Sequence, residues 1–252
     1  MAQDKFDVIR CSALRYHVFW ESIPNFSLAK LDLDFFDYQY DHLIIEHLPS
    51  SEIVGTYRLR KITPKTSFYS QTEFKIPIGL ISHLGAVELG RACIMPQFRK
   101  GAVLGLLWRG IAHYLTMTQS HYLLGCSSIF TTHPKDVALV YSYFKLKKHL
   151  SSEWQFDPKP KYYLTHFDMW EIFFKNGLTQ EQMERAEQLI PSLLKSYLKL
   201  GAQIISRPAH DKKFRCVDFL TIANVNDLFK TQAQRFFSRP TSDHNTPSLN
   251  PA

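Results

Sequence analysis

The chain has 252 residues, a formal net charge of +7 and a sequence pI of about 9.1, and hydrophobic residues make up 45% of it. These values suit one folded domain with an elaborated end, and no apolar run approaches the ~18 residues that a membrane span requires. The four cysteines are far apart and form no CxxC pair, which disfavours a zinc site or a disulfide framework. The basic charge predicts an acidic partner, but its scattered distribution argues against nucleic acid.

The N-terminal third predicts a helix, a loop and a hairpin. Cys11–Glu21 is amphipathic, with Leu14, Val18 and Phe19 facing inward, and residues 22–37 mix aromatic and acidic side chains in a structured loop. Two strands, Asp41–Leu48 and Glu52–Arg60, are joined by a short turn and predict an antiparallel pair. Alternation in the second strand places Val54, Thr56, Arg58 and Arg60 on one face, and Ile53, Tyr57 and Leu59 on the other.

The middle of the chain alternates strands and helices. We predict a strand at Ala86–Ile94, a helix at Gly101–Met117, a strand at Tyr122–Phe130 and a helix at Lys135–Lys147 entered by Pro134. An antiparallel start followed by this order predicts a mixed α/β fold with a parallel crossover late in the sheet.

The C-terminal third is an irregular connection followed by an elaboration. Residues 150–167 show little periodicity. Thr179 and Gln182 form a capping-box pattern that predicts a long helix, Gln180–Leu200, ended by Gly201. A strand at Arg215–Ala223 and a short helix near Asn226–Phe237 follow. We therefore expect a single domain over residues 1–237, with 178–237 as its C-terminal elaboration and 238–252 as a disordered tail.

The strand Ala86–Ile94 is the most informative segment. It carries Glu88 and Arg91 among apolar neighbours, and buried charges cost several kcal/mol unless they are paired or used. A basic turn, Gln97–Gly101, then opens a helix, whose N-terminus can receive an anionic group. A strand with an acid that leads into a phosphate-friendly turn is the layout of an acyl-transfer enzyme that holds a pantetheine thioester. Glu88 either pairs with Arg58 or Arg91, or accepts a proton through water, and we favour the second.

Missing motifs narrow the chemistry further. The chain has no GxSxG elbow, P-loop, GxGxxG or HExxH, and no tight histidine cluster, so we expect neither a covalent enzyme intermediate nor a metal. Direct attack of an amine on the thioester then needs proximity, a proton acceptor and donors for the oxyanion. The polar candidates are Arg15, Asp34, Asp37, Arg58, Glu88 and Arg91. Alternatively, each arginine is an ordinary carboxylate partner, and Asp34 and Asp37 are loop caps.

A series of short motifs, weak singly but specific in order and spacing, covers roughly residues 10 to 237. They are Leu14–Phe19, Asp34–Asp37, Asp41–Leu43, Val54–Leu59, Phe68–Ser70, Glu88–Arg91, Leu107–Ile111, Leu194–Ala202, Pro208–Asp211 and Asp218–Leu220. With these motifs the chain resembles the ornithine-acyl-carrier-protein N-acyltransferases of ornithine lipid biosynthesis. That family is a branch of the GNAT fold and is similar to the acyl-homoserine-lactone synthases.

The resemblance implies a GNAT-like mixed sheet, flanked by helices, whose splayed central strands admit the pantetheine arm of the donor. It implies transfer of a 3-hydroxyacyl group from acyl carrier protein to the α-amino group of L-ornithine, with the acyl thioester as co-substrate and no other cofactor. The product would be lyso-ornithine lipid. Glu88 and Arg91 match catalytic positions, and the matching substrate-binding positions are Arg15, Phe19, Asp34, Asp37 and Arg58.

Departures from related families sharpen this expectation. The tryptophan that lactone synthases carry soon after Phe19 is missing, with Asn25 near that place, and Leu194–Leu220 belongs to the ornithine type. The (Q/R)xxGx(G/A) loop that wraps the CoA pyrophosphate in ordinary GNAT enzymes is degraded here, because its glycine arrives one place late. We therefore expect a carrier-protein donor, bound through Arg99, Lys100 and Gly101.

Other functions stay open at this point. The chain could be an acyl-homoserine-lactone synthase, which would need S-adenosylmethionine, or it could acylate glycine, lysine or glutamine instead of ornithine. A non-catalytic, membrane-associated binding protein also fits the basic pI. The first residues, Met1–Asp7, lack the features of a secretory signal, so we expect a cytoplasmic protein with peripheral contact to the inner face of the membrane.

Overall fold

The computed structural model describes residues 1–20, 29–99 and 102–230. The helices are α1 Lys5–Phe19, α2 Ser70–Glu73, α3 Ile78–His83, α4 Val103–Thr118, α5 Pro134–Leu146, α6 Phe167–Phe173, α7 Gln180–Leu189, α8 Ser192–Lys199 and α9 Val225–Lys230. The strands are β1 Asp41–His47, β2 Glu52–Lys61, β3 Ala86–Ile94, β4 Tyr122–Ile129, β5 Gln203–Ile204, β6 Ala209–Asp211 and β7 Cys216–Asn224. Short 3-10 turns cover Phe35–Tyr38, Pro96–Phe98 and Pro160–Tyr162.

The seven strands of the described residues form one mixed sheet. Its order is β1-β2-β3-β4-β7-β5, and β6 also pairs with β7. The β3–β4 pair is parallel, with α4 as its crossover, and the other pairs are antiparallel. The structure thus confirms the mixed α/β fold, the antiparallel hairpin at its start and the late parallel crossover.

The two central strands separate halfway along their length. Pairing between β3 and β4 covers Ala86 to Glu88 and stops there, although both strands continue. Gly125 sits at the branch point, where an added Cβ would lie 2.3 Å from the Leu89 carbonyl oxygen. Only glycine allows the two backbones to approach this closely before they diverge. This is the splay that the family resemblance implies.

Two apolar layers cover the faces of the first three strands. On one face, Leu107 and Ile111 of α4 are fully buried in a cluster with Tyr57 and Leu59 of β2. On the other face, the helix α1 buries Leu14 in a smaller cluster with residues of β2 and β3. The sheet is therefore enclosed on both sides where β3 begins to leave β4, so its central polar side chains are removed from water.

The predicted faces of β2 are wrong at one end. Ile45 pairs with Gly55 but Glu46 pairs with Ile53, so Val54 is the extra residue of a β-bulge. A bulge inverts the alternation of side chains. Val54 accordingly packs in the α4-side cluster, whereas Ile53 packs on the α1 side.

Two helices, one in the N-terminal part of the chain and one in the C-terminal part, have other bounds than the sequence predicted. The first helix begins at Lys5, six residues earlier than predicted, because the Asp4 side chain accepts a hydrogen bond from the Asp7 amide and caps it. Thr179 and Gln182 form the predicted capping box, but the long helix is two helices, α7 and α8. Pro191 separates them because it has no amide to continue the ladder.

Further segments complete the description. Residues 150–167 touch the sheet through isolated bridges from Leu150 to Ile204 and from Phe156 to Ser206. Asn25, the end of the predicted helix near 226–237, and the predicted tail at 238–252 lie outside the described residues. Within the described part of the chain, no helix combines the length and apolar character needed to cross a bilayer.

Candidate active site

A buried network of three arginines and three aspartates occupies the α1 side of the sheet. The arginines come from separate elements, whereas the aspartates share the short segment around the 3-10 turn Phe35–Tyr38. That turn is fixed by its own capping box: Asp34 accepts from the Phe36 amide at 2.8 Å, and Asp37 accepts from the Asp34 amide at 2.8 Å. The capping role and the ion-pair role considered for these aspartates therefore coexist.

The ion pairs tie α1, β2 and β3 to this turn. The distances are Arg15 Nε–Asp32 Oδ2 3.1 Å, Arg15 Nη2–Asp37 Oδ1 2.9 Å, Arg58 Nη1–Asp34 Oδ1 2.7 Å, Arg58 Nη1–Asp37 Oδ1 3.2 Å and Arg91 Nη2–Asp34 Oδ2 2.9 Å. Arg91 Nε also lies 3.2 Å from Asp32 Oδ2, without the alignment of a hydrogen bond. Three positive and three negative charges thus balance inside the protein, which is the condition for burying them.

Only one edge of the network reaches the surface. The side chains of Asp34 and Arg91 are 17% and 10% exposed, whereas those of Arg15, Arg58 and Asp37 are 0–1% exposed. Burial opposes ionisation of Asp34, but the Arg58 and Arg91 charges outweigh it and hold the pKa of this carboxyl below its ordinary value. A substrate can therefore meet Asp34 and Arg91 directly, and the other four residues of the network act through them.

Arg91 is held in an unusual backbone conformation. Its φ is +53°, in the left-handed region that strand residues rarely adopt, and the β2–β3 register shifts beside it, where Thr56 faces Cys93 but Arg58 faces Gly90. Such a residue costs on the order of 1–3 kcal/mol and is found mostly at functional sites. The guanidinium lies over two aromatic rings, 5.2 Å from the Tyr69 centroid and 4.5 Å from that of Phe214.

Glu88 is 1% exposed and accepts four hydrogen bonds. Its donors are the Tyr40 hydroxyl, the Tyr69 amide at 2.8 Å, and the Ser70 amide and hydroxyl at 2.7 and 2.5 Å. Neither Arg58 nor Arg91 is among the partners recorded for Glu88 in the described residues. A carboxylate has about four lone-pair positions, so direct proton acceptance would require a donor to leave.

The remaining predicted site residues lie elsewhere. Phe19 packs against the apolar cluster of α1 and is not among the recorded partners of the ion pairs. Arg99 is exposed in the turn after β3, where its Nε donates to the Ile94 carbonyl oxygen at 3.2 Å. Lys100 and Gly101 lie outside the described residues. Binding of a carrier protein at this turn stays a prediction.

Several residues of the site were not predicted. Asp32 completes the ion-pair network, and Tyr40, Tyr69 and Ser70 hold Glu88. A second buried group consists of Glu73 from α2, Asp211 from β6 and Asp218 from β7. The available signal was the motifs Phe68–Ser70, Pro208–Asp211 and Asp218–Leu220, which contain four of these residues but show no local pattern that assigns them a role.

The second group, called the acidic cluster below, brings Glu73, Asp211 and Asp218 within reach of one cation. One carboxylate oxygen from each lies within 4.8 Å of the others, and all three residues are buried. Burial, together with the charges of Asp218 and Asp211, raises the pKa of Glu73 well above its ordinary value. Burial also raises the pKa of Asp218 to about 6. The carboxyl groups of Glu73 and Asp218 therefore hold their protons to higher pH than exposed carboxyls do.

The acidic cluster predicts a stability that falls as pH rises. A raised carboxyl pKa means that the folded state binds more protons than the unfolded state between the two pKa values, so the stability it contributes is lost from about pH 4 through pH 6. The opposite effect of Asp34, whose pKa is lowered, is confined to more acidic pH. Urea unfolding between about pH 5 and 8 should show a decline on the order of 1–3 kcal/mol. Asp218→Asn, which removes the group whose pKa is about 6, should flatten it, and an equal decline in that variant would contradict the assignment.

Comparison with known proteins shows which acyltransferases the chain resembles. Residues 14–109 match the acetyltransferase (GNAT) domain. The L-ornithine N(alpha)-acyltransferases of Rhizobium meliloti and Agrobacterium fabrum are each 29% identical to it, over 90% of this chain and 80% of theirs. That of Rhodobacter capsulatus is 25% identical over 95% of this chain and 93% of its own.

Solved structures with a similar chain path include a CoA-dependent acyl-homoserine lactone synthase, BjaI, at 12% identity and a TM-score of 0.49, covering 92% of this chain and 83% of that one. The loading GNATL domain of CurA from Lyngbya majuscula is 15% identical with a TM-score of 0.46, covering 89% and 96%. The domain match and the sequence relatives, taken with the splayed mixed sheet, agree with the resemblance: the chain is a GNAT-fold acyltransferase that is similar to the L-ornithine N(alpha)-acyltransferases over at least 90% of its length.

Proposed function

We propose that this enzyme transfers a 3-hydroxyacyl group from acyl carrier protein to the α-amino group of L-ornithine and so forms lyso-ornithine lipid. The observation that carries this proposal is the match to four proteins named L-ornithine N(alpha)-acyltransferase over at least 90% of the chain. The geometry supports it, because the divergence of β3 from β4 and a buried set of charges occur at the same strand.

The divergence of β3 and β4 is the proposed path of the donor. Beyond Glu88 the backbone of β3 no longer pairs with β4, so its amides and carbonyls on that side need other partners. A pantetheine arm carries two amides that can pair with an open strand edge. A thioester entering here arrives beside Glu88 and Arg91, which follow directly on β3.

The proposed reaction is direct attack of the neutral α-amine on the thioester carbonyl. The Arg91 guanidinium stabilises the developing oxyanion, and Asp34 holds it in place. The amine proton passes to Glu88 through a hydroxyl that already donates to it, from Ser70 or Tyr40. Collapse of the tetrahedral intermediate then breaks the C–S bond, and the pantetheine thiolate of the carrier leaves and takes up that proton. This relay fits a carboxylate whose own acceptor positions are filled, and it agrees with the sequence-based preference for an indirect role.

One incubation tests the function. The enzyme is mixed with 3-hydroxyacyl carrier protein and with ornithine, lysine, glutamine or glycine, and S-adenosylmethionine is offered in a separate reaction. Mass spectrometry should find N-acyl-ornithine as the main product. A lactone formed only with S-adenosylmethionine would favour the synthase alternative, and the absence of any acylated amine would favour a non-catalytic binding protein.

We predict that the turn after β3 contacts the carrier protein. Carrier proteins present an acidic helix, and Arg99 and Lys100 offer two adjacent positive charges. The double change Arg99→Glu and Lys100→Glu should raise the KM for the acyl-carrier substrate about tenfold or more. Acyl-pantetheine, which lacks the protein, serves as the control substrate and should be affected little. An unchanged KM for the carrier would overturn this contact.

We also predict peripheral membrane contact through α6. Three apolar side chains of this short helix are strongly exposed: Met169, Ile172 and Phe173 are 56%, 63% and 63% accessible. Apolar groups displayed together on a basic protein suit an anionic lipid surface. Changing all three to glutamate should reduce cosedimentation with phosphatidylglycerol vesicles about fivefold or more. Phosphatidylcholine vesicles are the control, and retained sedimentation of the variant would exclude this surface.

A further inference from the structure

The acidic cluster differs from the ion-pair network beside it. In the network every aspartate meets an arginine, whereas no ion pair is recorded for Glu73 or Asp218 among the described residues. Asp211 accepts hydrogen bonds from the Lys213 and Phe214 amides at 2.7 and 3.1 Å, and Ser128 donates to Asp218 at 2.5 Å. These neutral donors satisfy part of the cluster but supply no positive charge.

One oxygen of the cluster has no partner at all in the described structure. Glu73 Oε1 is buried and receives no hydrogen bond from the described residues. Water cannot supply one from the surface, because the residue is 0% exposed. An unsatisfied buried carboxylate oxygen is costly, and in folded proteins such an atom calls for an explanation. A bound donor with positive charge would satisfy it.

The spacing of the three carboxylates suits an ammonium group. An ammonium has three donors and no acceptor, and three oxygens placed about 2.9 Å from its nitrogen in a tetrahedral arrangement are ~4.7 Å apart. The three carboxylate oxygens of the cluster lie within 4.8 Å of one another. The separations therefore stay within the span over which a single ammonium can donate to all three residues.

Two aromatic residues, Tyr69 and Phe214, contact both the Arg91 guanidinium and residues of the acidic cluster. Tyr69 lies under the Arg91 guanidinium and interacts electrostatically with Glu73, and Phe214 lies over the same guanidinium while its amide binds Asp211. A molecule whose neutral amine lies beside Arg91 can thus place a cationic group at the acidic cluster through a short chain.

We propose that Glu73, Asp211 and Asp218 form the subsite that binds the side-chain ammonium of a diamino-acid acceptor, while its α-amine faces the thioester. The proposal rests on the proposed function and adds the residues that select a cationic amino acid over a neutral one. Binding breaks no covalent bond between heavy atoms: the ammonium donates to the three carboxylates, and any proton that it displaces from them leaves to solvent.

The test compares two acceptors that differ only in this ammonium. L-ornithine and L-norvaline have the same carbon skeleton, but norvaline lacks the side-chain nitrogen. Glu73→Gln keeps the shape of the protonated acid and removes its charge, and Glu181→Gln makes the same change at an exposed position. Glu73→Gln should raise the KM for ornithine about tenfold or more and leave that for norvaline within about twofold. Glu181→Gln should behave as wild type. An undiminished preference for ornithine in Glu73→Gln, or an equal loss with both acceptors, would overturn the proposal.

Calorimetry separates this proposal from the proposed function. L-ornithine is titrated into the wild-type enzyme and Glu73→Gln, with holo-acyl carrier protein present, and MgCl2, CaCl2 and ZnCl2 are titrated in parallel. Ornithine binding that Glu73→Gln abolishes supports the subsite even where no N-acyl product forms, in which case only the proposed function fails. The subsite would be overturned if the wild-type enzyme bound no ornithine. It would also be overturned if one of the metal ions bound in a way that depends on Glu73.

Discussion

Replacement of Glu88 by alanine should lower the free energy of unfolding by about 3–5 kcal/mol and abolish acyl transfer. The carboxylate accepts four hydrogen bonds in a site that is 1% exposed, so its removal leaves the amides of Tyr69 and Ser70 and two hydroxyls without an acceptor. Urea unfolding measures the first effect, and mass spectrometry of N-acyl product measures the second. A variant as stable as wild type would contradict these contacts.

Milder changes separate the positioning role of Glu88 from a role in proton transfer. Glu88→Gln keeps one oxygen acceptor but cannot take up a proton, so under the relay it should lower kcat by about 100-fold and remove the acidic limb of the pH–rate profile. Ser70→Ala and Tyr40→Phe each remove one hydroxyl that donates to Glu88. The one that lowers kcat identifies the path of the proton. An unaltered pH profile in Glu88→Gln would assign the residue to positioning alone.

Local patterns predicted most of the fold, and long-range pairing explains what they missed. The bounds of β3, Ala86–Ile94, follow from a run of apolar residues, and the capping box at Thr179 is a contact between near neighbours. The bulge at Val54 depends on how β1 pairs with β2, so no alternation within β2 could show it. Pro191 was a visible local signal, and the predicted long helix ran through a residue that helices rarely tolerate.

The same difference between information in the sequence and long-range contacts applies to the residues of the candidate site. The resemblance assembled Arg15, Asp34, Asp37, Arg58 and Arg91, and the structure brings these five together as ion pairs. Family motifs recur in order along the chain, so such positions can be carried over without knowledge of the contacts. The motifs Pro208–Asp211 and Asp218–Leu220 contain two residues of the acidic cluster but do not show that it assembles, because Glu73 lies far in sequence from both and only the folded chain brings the three together. In the sequence each reads as an ordinary acidic residue.

The structure also changes what a substrate-binding aspartate means in this enzyme. Asp37 was predicted to bind substrate, but its side chain is 0% exposed. Its Oδ1 receives Arg15 at 2.9 Å and Arg58 at 3.2 Å, and its Oδ2 accepts the Asp34 amide at 2.8 Å. Asp34 is the neighbour with an exposed edge. The geometry therefore favours Asp37 as the residue that positions Asp34 and the arginines for the substrate.

Asp37→Ala should accordingly be among the most destabilising single changes in the chain. It leaves two buried guanidinium groups short of a partner and removes half of the capping box, for an expected loss of about 3–5 kcal/mol in the free energy of unfolding. Asp34→Ala, at the 17% exposed edge, should cost less, about 1–2 kcal/mol, and act mainly by lowering kcat/KM. Urea unfolding and acceptor kinetics on both variants provide the comparison. If Asp37→Ala were stable and its only defect were a raised KM for the amino acid, Asp37 would contact the substrate directly after all. The reason is that a positioning residue among six buried charges cannot be removed without weakening the fold.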